Sequence, residues 1–407
     1  MNRAVEIAGE VQPLGGARRA AALAGVVGAA GVVVAALVGA RDGWGVFFRS
    51  YLLNCTYVLS LGLGGLFFVM LQHLTRAGWS VSIRRLAEFI VGTLPVLALL
   101  SVPLLVPAWR GWEEPWPWAN PAAVAGDPLL QGKAAYLNVP FWTIRLAIYF
   151  GIWALLARFF LRTSLAQDES GDPQLTLRMQ WWSAPGMLLF ALTVTFFAID
   201  VLMSLNPHWY STIFGVYFFS GCLVGFFALL AVVVWSVHGR GALRHAVTIE
   251  HYHDIGKLAF GFVVFWAYIA FSQYMLIWYA NLPEETIWYQ PRQDDPWWAG
   301  VSLLLLGGHF TAPFLALLSR LPKRRPSLLT AAAVWLLAMH WLDLYYLVMP
   351  TAHGDAEHAA PLHATDLLLL VGLGGLFAAA LLRQMARHTL LPARDPRLLE
   401  ALRFENI

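Results

Sequence analysis

From Leu258 to Tyr279 the chain reads LAFGFVVFWAYIAFSQYMLIWY, an almost wholly apolar and aromatic run. About 20 such residues at 1.5 Å rise cross a bilayer, and runs of that length recur about ten times in this sequence. The run opens with His251, His253, Asp254 and Lys257, closes with Glu284 and Glu285, and holds Ser272 and Gln273 inside. Lipid offers these groups no partner, so one side of the helix must face protein, water or a ligand. With 59% of 407 residues apolar, 13% charged and a mean hydropathy of +0.61, the chain reads as a polytopic membrane protein.

Residues 1–17 are polar and peripheral. The spans then run Ala20–Ala40, Phe48–Leu74, Arg84–Val106, Val139–Leu161, Trp181–Leu205, Ile213–Val237, Leu258–Tyr279, Trp297–Leu318, Ser327–Met349 and Asp366–Met385. The first is rich in Ala, Val and Gly, which suits close packing against another helix. The Trp-rich connection WRGWEEPWPWANP reads as an interfacial belt or a docking surface. Asp200 precedes Pro207 by seven residues and Asp343 precedes Pro350 by seven; spans two and six also share a Gly followed five residues later by Phe-Phe. This faint duplication predicts an all-α fold of about ten transmembrane helices, with two parallel four-helix bundles (spans 2–5 and 6–9) and two flanking helices. The segments are then 1–47, 48–210, 211–352 and 353–407.

Ten spans place both termini on one side. Every Lys and Arg lies on that side except Arg41, Arg49, Arg110, Lys133, Arg145 and Arg292. The positive-inside rule makes it cytoplasmic, and accounts for the net charge of +3 without nucleic acid. Cys55 and Cys222 fall inside apolar runs without Cys or His at ligand spacing, so no haem c, zinc or iron–sulfur site is expected on this chain. The first span follows Arg18-Arg19 without a cleavage signature and reads as a retained anchor.

Each ionisable group at membrane depth costs roughly 2.5–3.5 kcal/mol and needs a reason. Near the cytoplasmic side are His73, Glu88 and Lys257; farther out are Arg145, Asp200, His340 and Asp343, with His309 near the middle. Arg84/Glu88 and Asp254/Lys257 stand at local helix-pair spacing. Asp200 has no basic residue at helical spacing in its own span, so its partner must come from another helix, with Arg145 an obvious candidate. His340 and Asp343 share a face, as a proton relay requires. Two readings stand: titratable groups staged for proton movement, or ion pairs joining the bundles. His309 and His340 also allow a haem b pair, and Trp278-Tyr279 and Tyr345-Tyr346 a quinone border. No catalytic residue or metal site is assigned.

The runs FFAIDVLMSLNPHWYSTIFGVYFFSG (Phe196–Gly221), HYHDIGKLAFGFVVFWAYIAFSQYMLIWYANLPEET (His251–Thr286) and NCTYVLSLGLGGLFF (Asn54–Phe68) resemble the ActF family. These are membrane subunits of bacterial alternative complex III, a quinol:cytochrome c oxidoreductase, and are similar to NrfD/PsrC-type subunits. The resemblance covers nearly the whole chain. It implies a subunit not catalytic alone, in the bacterial inner membrane, with a proton route, a secondary quinone site, or both. It implies as partners an ActC paralogue, a multihaem cytochrome c, an iron–sulfur subunit and small cytochrome and anchor subunits. Haems and iron–sulfur clusters would sit in those partners, and menaquinone or another quinone is the only cofactor in prospect here. A purely structural anchor and a stand-alone transporter are the competing readings.

Overall fold

A computed structural model describes residues 12–351 and 362–405. Arg3, most of the polar N-terminal stretch and the expected boundary at 352/353 lie outside the described residues. Among those described there are helices and no strands. Ten helices are long and apolar enough to cross a membrane: α1 Ala17–Asp42, α2 Trp44–Leu74, α3 Val81–Trp109, α4 Val139–Ser170, α5 Gln174–Leu205, α6 Phe214–Gly239, α7 Ile249–Ala280, α8 Pro296–Leu318, α9 Pro326–Val348 and α10 Ala364–Met385. All ten expected spans are present, and the chain is a multi-pass helical membrane protein.

Local chemistry sets several ends. Asn138 accepts a hydrogen bond from Phe141 N at the start of α4, and Asp295 accepts from Trp297 N and Trp298 N at the start of α8; Pro follows each in the first turn. Asn281, at φ 49°, ends α7 in the left-handed region that Asn tolerates.

Helix α2 packs against α3 and α5, while α4 closes that group against α3 and α5. Helix α6 packs against α7 and α9, with α8 filling in between α7 and α9. The two groups meet where α2 and α5 cross α6 and where α2 reaches α9. Helices α1 and α10 pair with each other and lean on α2. Burial follows this plan: the most apolar window of α2 is 89% enclosed by protein, against 17% for α1.

Small residues set the closest approaches. Between lipid-facing helices there is little hydrophobic drive, so association depends on backbones coming near. A Cβ placed on Gly372 of α10 would lie 3.0 Å from the backbone nitrogen of Val32 on α1, and one on Gly28 would lie 2.7 Å from Leu376 N. The GLGGLF run of α2 plays the same part at the centre, where Gly64 meets the backbone of Cys222 on α6. Helix α7 presents one buried stripe, with Gly256, Ala259, Val263, Trp266, Gln273 and Ile277, and an exposed remainder. Gln273 is on the protein side and Ser272 is half-buried beside it, whereas Lys257, Tyr268 and Tyr279 are exposed.

The α1–α10 seam is testable. Gly372→Ile should cost about 1–3 kcal/mol by forcing the backbones apart, while Gly374→Ile, which meets nothing within 4 Å, should be neutral. Thermal unfolding of the detergent-solubilised protein checks both.

Candidate functional site

Two π-helical segments interrupt the spans, Ala198–Leu202 in α5 and Leu305–Thr311 in α8. A π turn widens the helix by one residue and is found often at functional positions. One carries Asp200 and the other His309.

Asp200 is fully buried and ion-paired. Arg145 Nε donates to its Oδ2 at 2.7 Å and a terminal nitrogen donates to Oδ1 at 3.0 Å, the two-pronged geometry that a guanidinium offers a carboxylate. Tyr149 Oη adds a third bond at 2.8 Å. The altered helix register leaves backbone carbonyls needing donors. Trp142 Nε1 serves Asp200 O at 2.9 Å and Trp116 Nε1 serves Val201 O at 3.0 Å. The guanidinium itself lies over Tyr136 (3.9 Å) and Phe141 (4.4 Å) and donates to Tyr136 O. Arg145 and Asp200 thus form a closed, fully satisfied unit that joins α4 to α5.

Asp343 occupies the corresponding place on α9 but is held differently. Tyr217 Oη donates to Oδ1 at 2.5 Å and Trp266 Nε1 donates to Oδ2 at 3.0 Å. Among the described residues no Lys or Arg side chain bonds to it, and the carboxyl is 1% exposed. His340, one turn back on the same face, shares with Asp343 the space opposite Gly221 of α6. Its Nε2 bonds Ser60 Oγ of α2 at 2.7 Å, whereas its Nδ1 has no partner among the described residues. His309 is stacked on Trp266 with ring centroids 4.0 Å apart, and neither of its nitrogens has a partner among the described residues. Five helices therefore converge on one group: Ser60 (α2), Tyr217 (α6), Trp266 (α7), His309 (α8), and His340 with Asp343 (α9).

The remaining expected residues lie near the face bearing the described ends of the chain. Glu88 takes Arg84 Nε at 3.2 Å and Arg85 Nε at 3.0 Å. Arg84 also meets Asp395 of the tail, and Arg85 meets Asp168 at 2.8 Å and Ser164 Oγ at 3.0 Å. Glu88 is thus more than a local helix pair: it sits at the centre of an ion network that the tail closes. Lys257 pairs with Asp254 as the spacing predicts. His73 is buried and stacked on Phe160 at 5.7 Å, with Nε2 unpartnered. Among the described residues, none belongs both to the Glu88 network and to the Asp343 group.

Other features were not anticipated. Arg292 is buried, with Trp288 O at 2.6 Å, Tyr346 O at 3.2 Å and the Trp288 ring at 3.5 Å. Burial pushes its pKa down to about 10, so it remains a cation at neutral pH. It braces the end of α9 just beyond Asp343; a lone Arg amid the dense Trp and Tyr of residues 288–298 was the available signal. The haem b option does not fit: His340 Nε2 is committed to Ser60 and its ring lies against Gly225, while His309 lies flat on Trp266. Trp278 and Tyr279 are exposed like a belt, whereas Tyr345 and Tyr346 are packed inside. A crevice beside Cys55, Ser101, Trp116 and Phe197 has room for about one water molecule, too little for a quinone ring.

Fold and site together define a multi-pass helical membrane protein with buried carboxylates held in different ways, Asp200 by a cation and Asp343 by uncharged donors. No family model matches the chain, and no curated protein matches it.

The Arg145–Asp200 pair makes a direct prediction. Asp200→Asn leaves a buried guanidinium uncompensated and should cost about 3–5 kcal/mol, whereas replacing both residues by apolar ones of similar volume should recover most of that loss. Unfolding midpoints of the two variants check the difference.

Proposed function

We propose that this chain is an ActF-type membrane subunit of a bacterial alternative complex III and that its second bundle supplies a proton-carrying centre at Asp343. In this reading it lies in the bacterial inner membrane with both termini cytoplasmic, as its Lys/Arg distribution favours. An ActC paralogue, a multihaem cytochrome c, an iron–sulfur subunit and small cytochrome and anchor subunits carry the redox chemistry beside it. The sequence runs that resemble ActF support the assignment, together with ten spans grouped as the family is expected to group them.

One observation carries the proton role: Asp343 is buried at a five-helix junction and held by Tyr217 and Trp266, neither of them charged. A carboxylate clamped by a guanidinium is fixed in its charged form, whereas one held by neutral donors is free to change charge state. His340 and His309 are the adjacent groups able to accept or return a proton, since each keeps at least one unpartnered ring nitrogen. Tyr217 bonds Asp343 directly and lies between it and the start of α6 at the face opposite the termini. Asp200 and Arg145 then serve as a rigid tie within the first bundle. No electron-transfer step is assigned to this chain.

A purely structural anchor is the second reading, favoured by the Arg145–Asp200 and Glu88 ion networks. The two separate at Asp343→Asn. We expect that variant to assemble with its partners and to retain quinol oxidation while losing proton translocation in proteoliposomes. Assembly with wild-type proton yield would overturn the proton role; failure of the variant to assemble would favour the anchor.

A further inference from the structure

Beyond the buried centres, the start of α7 and the turn between α8 and α9 build a second kind of site. His253 and Lys257 stand four residues apart on α7 and so share a face. Across from them lies the Arg320–Arg324 turn. Lys323 is packed onto this face: its side chain covers Gly256, and its Nζ lies 5.2 Å over the Phe260 ring while donating to Leu317 O at 2.8 Å. His253 is 6% exposed, and its Nδ1 has no partner among the described residues. The charges of Lys257, Asp254, Lys323 and Arg324 all bear on it.

The charge balance of this corner is uneven. Asp254 answers Lys257 and Glu250 answers Arg324 at 2.5 Å, which leaves Arg320, Lys323 and Arg325 in excess. Burial first, then the like charges of Lys257 and Arg320, lower the proton affinity of Lys323, the expected mark of cations crowded without a full complement of anions. Immediately on the membrane side, Leu315, Leu318 and Leu321 are all more than half exposed. A cationic corner above an open leucine strip matches a lipid, with phosphate at the corner and an acyl chain along the strip. Basic pockets between transmembrane helices are known to take anionic headgroups.

We propose that His253, Lys257, Arg320 and Lys323 form a binding site for the phosphate of an anionic membrane lipid. The site rests on the terminal face being the one toward anionic headgroups and not on the proton role of Asp343, so each can fail alone.

The test uses the full-length protein in neutral detergent, titrated with phosphatidylglycerol, phosphatidylcholine or inorganic phosphate and followed by thermal unfolding. Phosphatidylglycerol should raise the midpoint saturably, and the double variant Lys257→Gln/Arg320→Gln should need roughly ten-fold or more lipid for the same shift. The double variant Arg18→Gln/Arg19→Gln, which removes equal charge from the same face at α1, should respond like the wild type. Stabilisation by inorganic phosphate at equal concentration, lost in the α7/turn variant, would keep the phosphate site but assign it to the free anion. Equal stabilisation by phosphatidylcholine, or equal loss in the two double variants, would overturn the proposal. His253→Phe, which keeps an aromatic ring but removes both ring nitrogens, should also weaken the phosphatidylglycerol response if the imidazole takes part; an unchanged response would remove His253 from the site.

Discussion

Taking a carboxylate out of water costs several kcal/mol, and a protein inside a membrane has few ways to meet that cost. This chain uses two of them at matching places in its two bundles. Asp200 is met by a two-pronged guanidinium, a tyrosine hydroxyl and a backbone supported by two indoles. Asp343 is met by one phenol and one indole. The first arrangement pairs the carboxylate with a cation and ties α4 to α5; the second supplies hydrogen bonds from uncharged donors.

The surrounding architecture makes the second arrangement sustainable. Helix α2 is a spine touched by both groups of helices, and the absence of a side chain at Gly64 lets α6 come against it. That closeness brings Ser60 of α2 onto His340 and keeps lipid from the junction. The π turn in α8 sets His309 flat on the indole that holds Asp343. At the other end of the molecule the tail folds back so that Asp395 joins Arg84 and Thr389 bonds Asp168 at 3.0 Å, closing the Glu88 network from below. Ion pairs thus bound the described interior at the face that bears the tail.

Much of the fold was legible because it depends on length and hydropathy alone: all ten spans are present, although α4 runs on to Ser170, α5 begins at Gln174 and α7 begins at Ile249, because the polar ends of these helices carry no hydropathy signal. The Arg145–Asp200 pair was legible for a related reason, since neither residue has a complement at helical spacing in its own span. Asp343's partners were not. Tyr217 and Trp266 are two aromatics among many in apolar runs, and only the packing of α6 and α7 around α9 singles them out. Helical spacing found Arg84 for Glu88 but not Asp168 or Asp395, which reach it through Arg85 and Arg84 across long sequence separations. The π turns have no sequence signature of the kind a Pro or a cap provides. Arg292 was masked by its use as one more charge on the sparse side of the membrane.

The central proposal is that Asp343 takes up and releases a proton. Under the proposed assignment to a quinol-oxidising complex, infrared difference spectroscopy of that complex in its membrane, with turnover triggered by quinol, addresses it most directly. The account predicts a carboxylic-acid band that appears or vanishes on turnover, shifts in heavy water and is absent in Asp343→Asn. A difference spectrum with no carboxyl band, or with one that survives the Asp343 substitution, would contradict it.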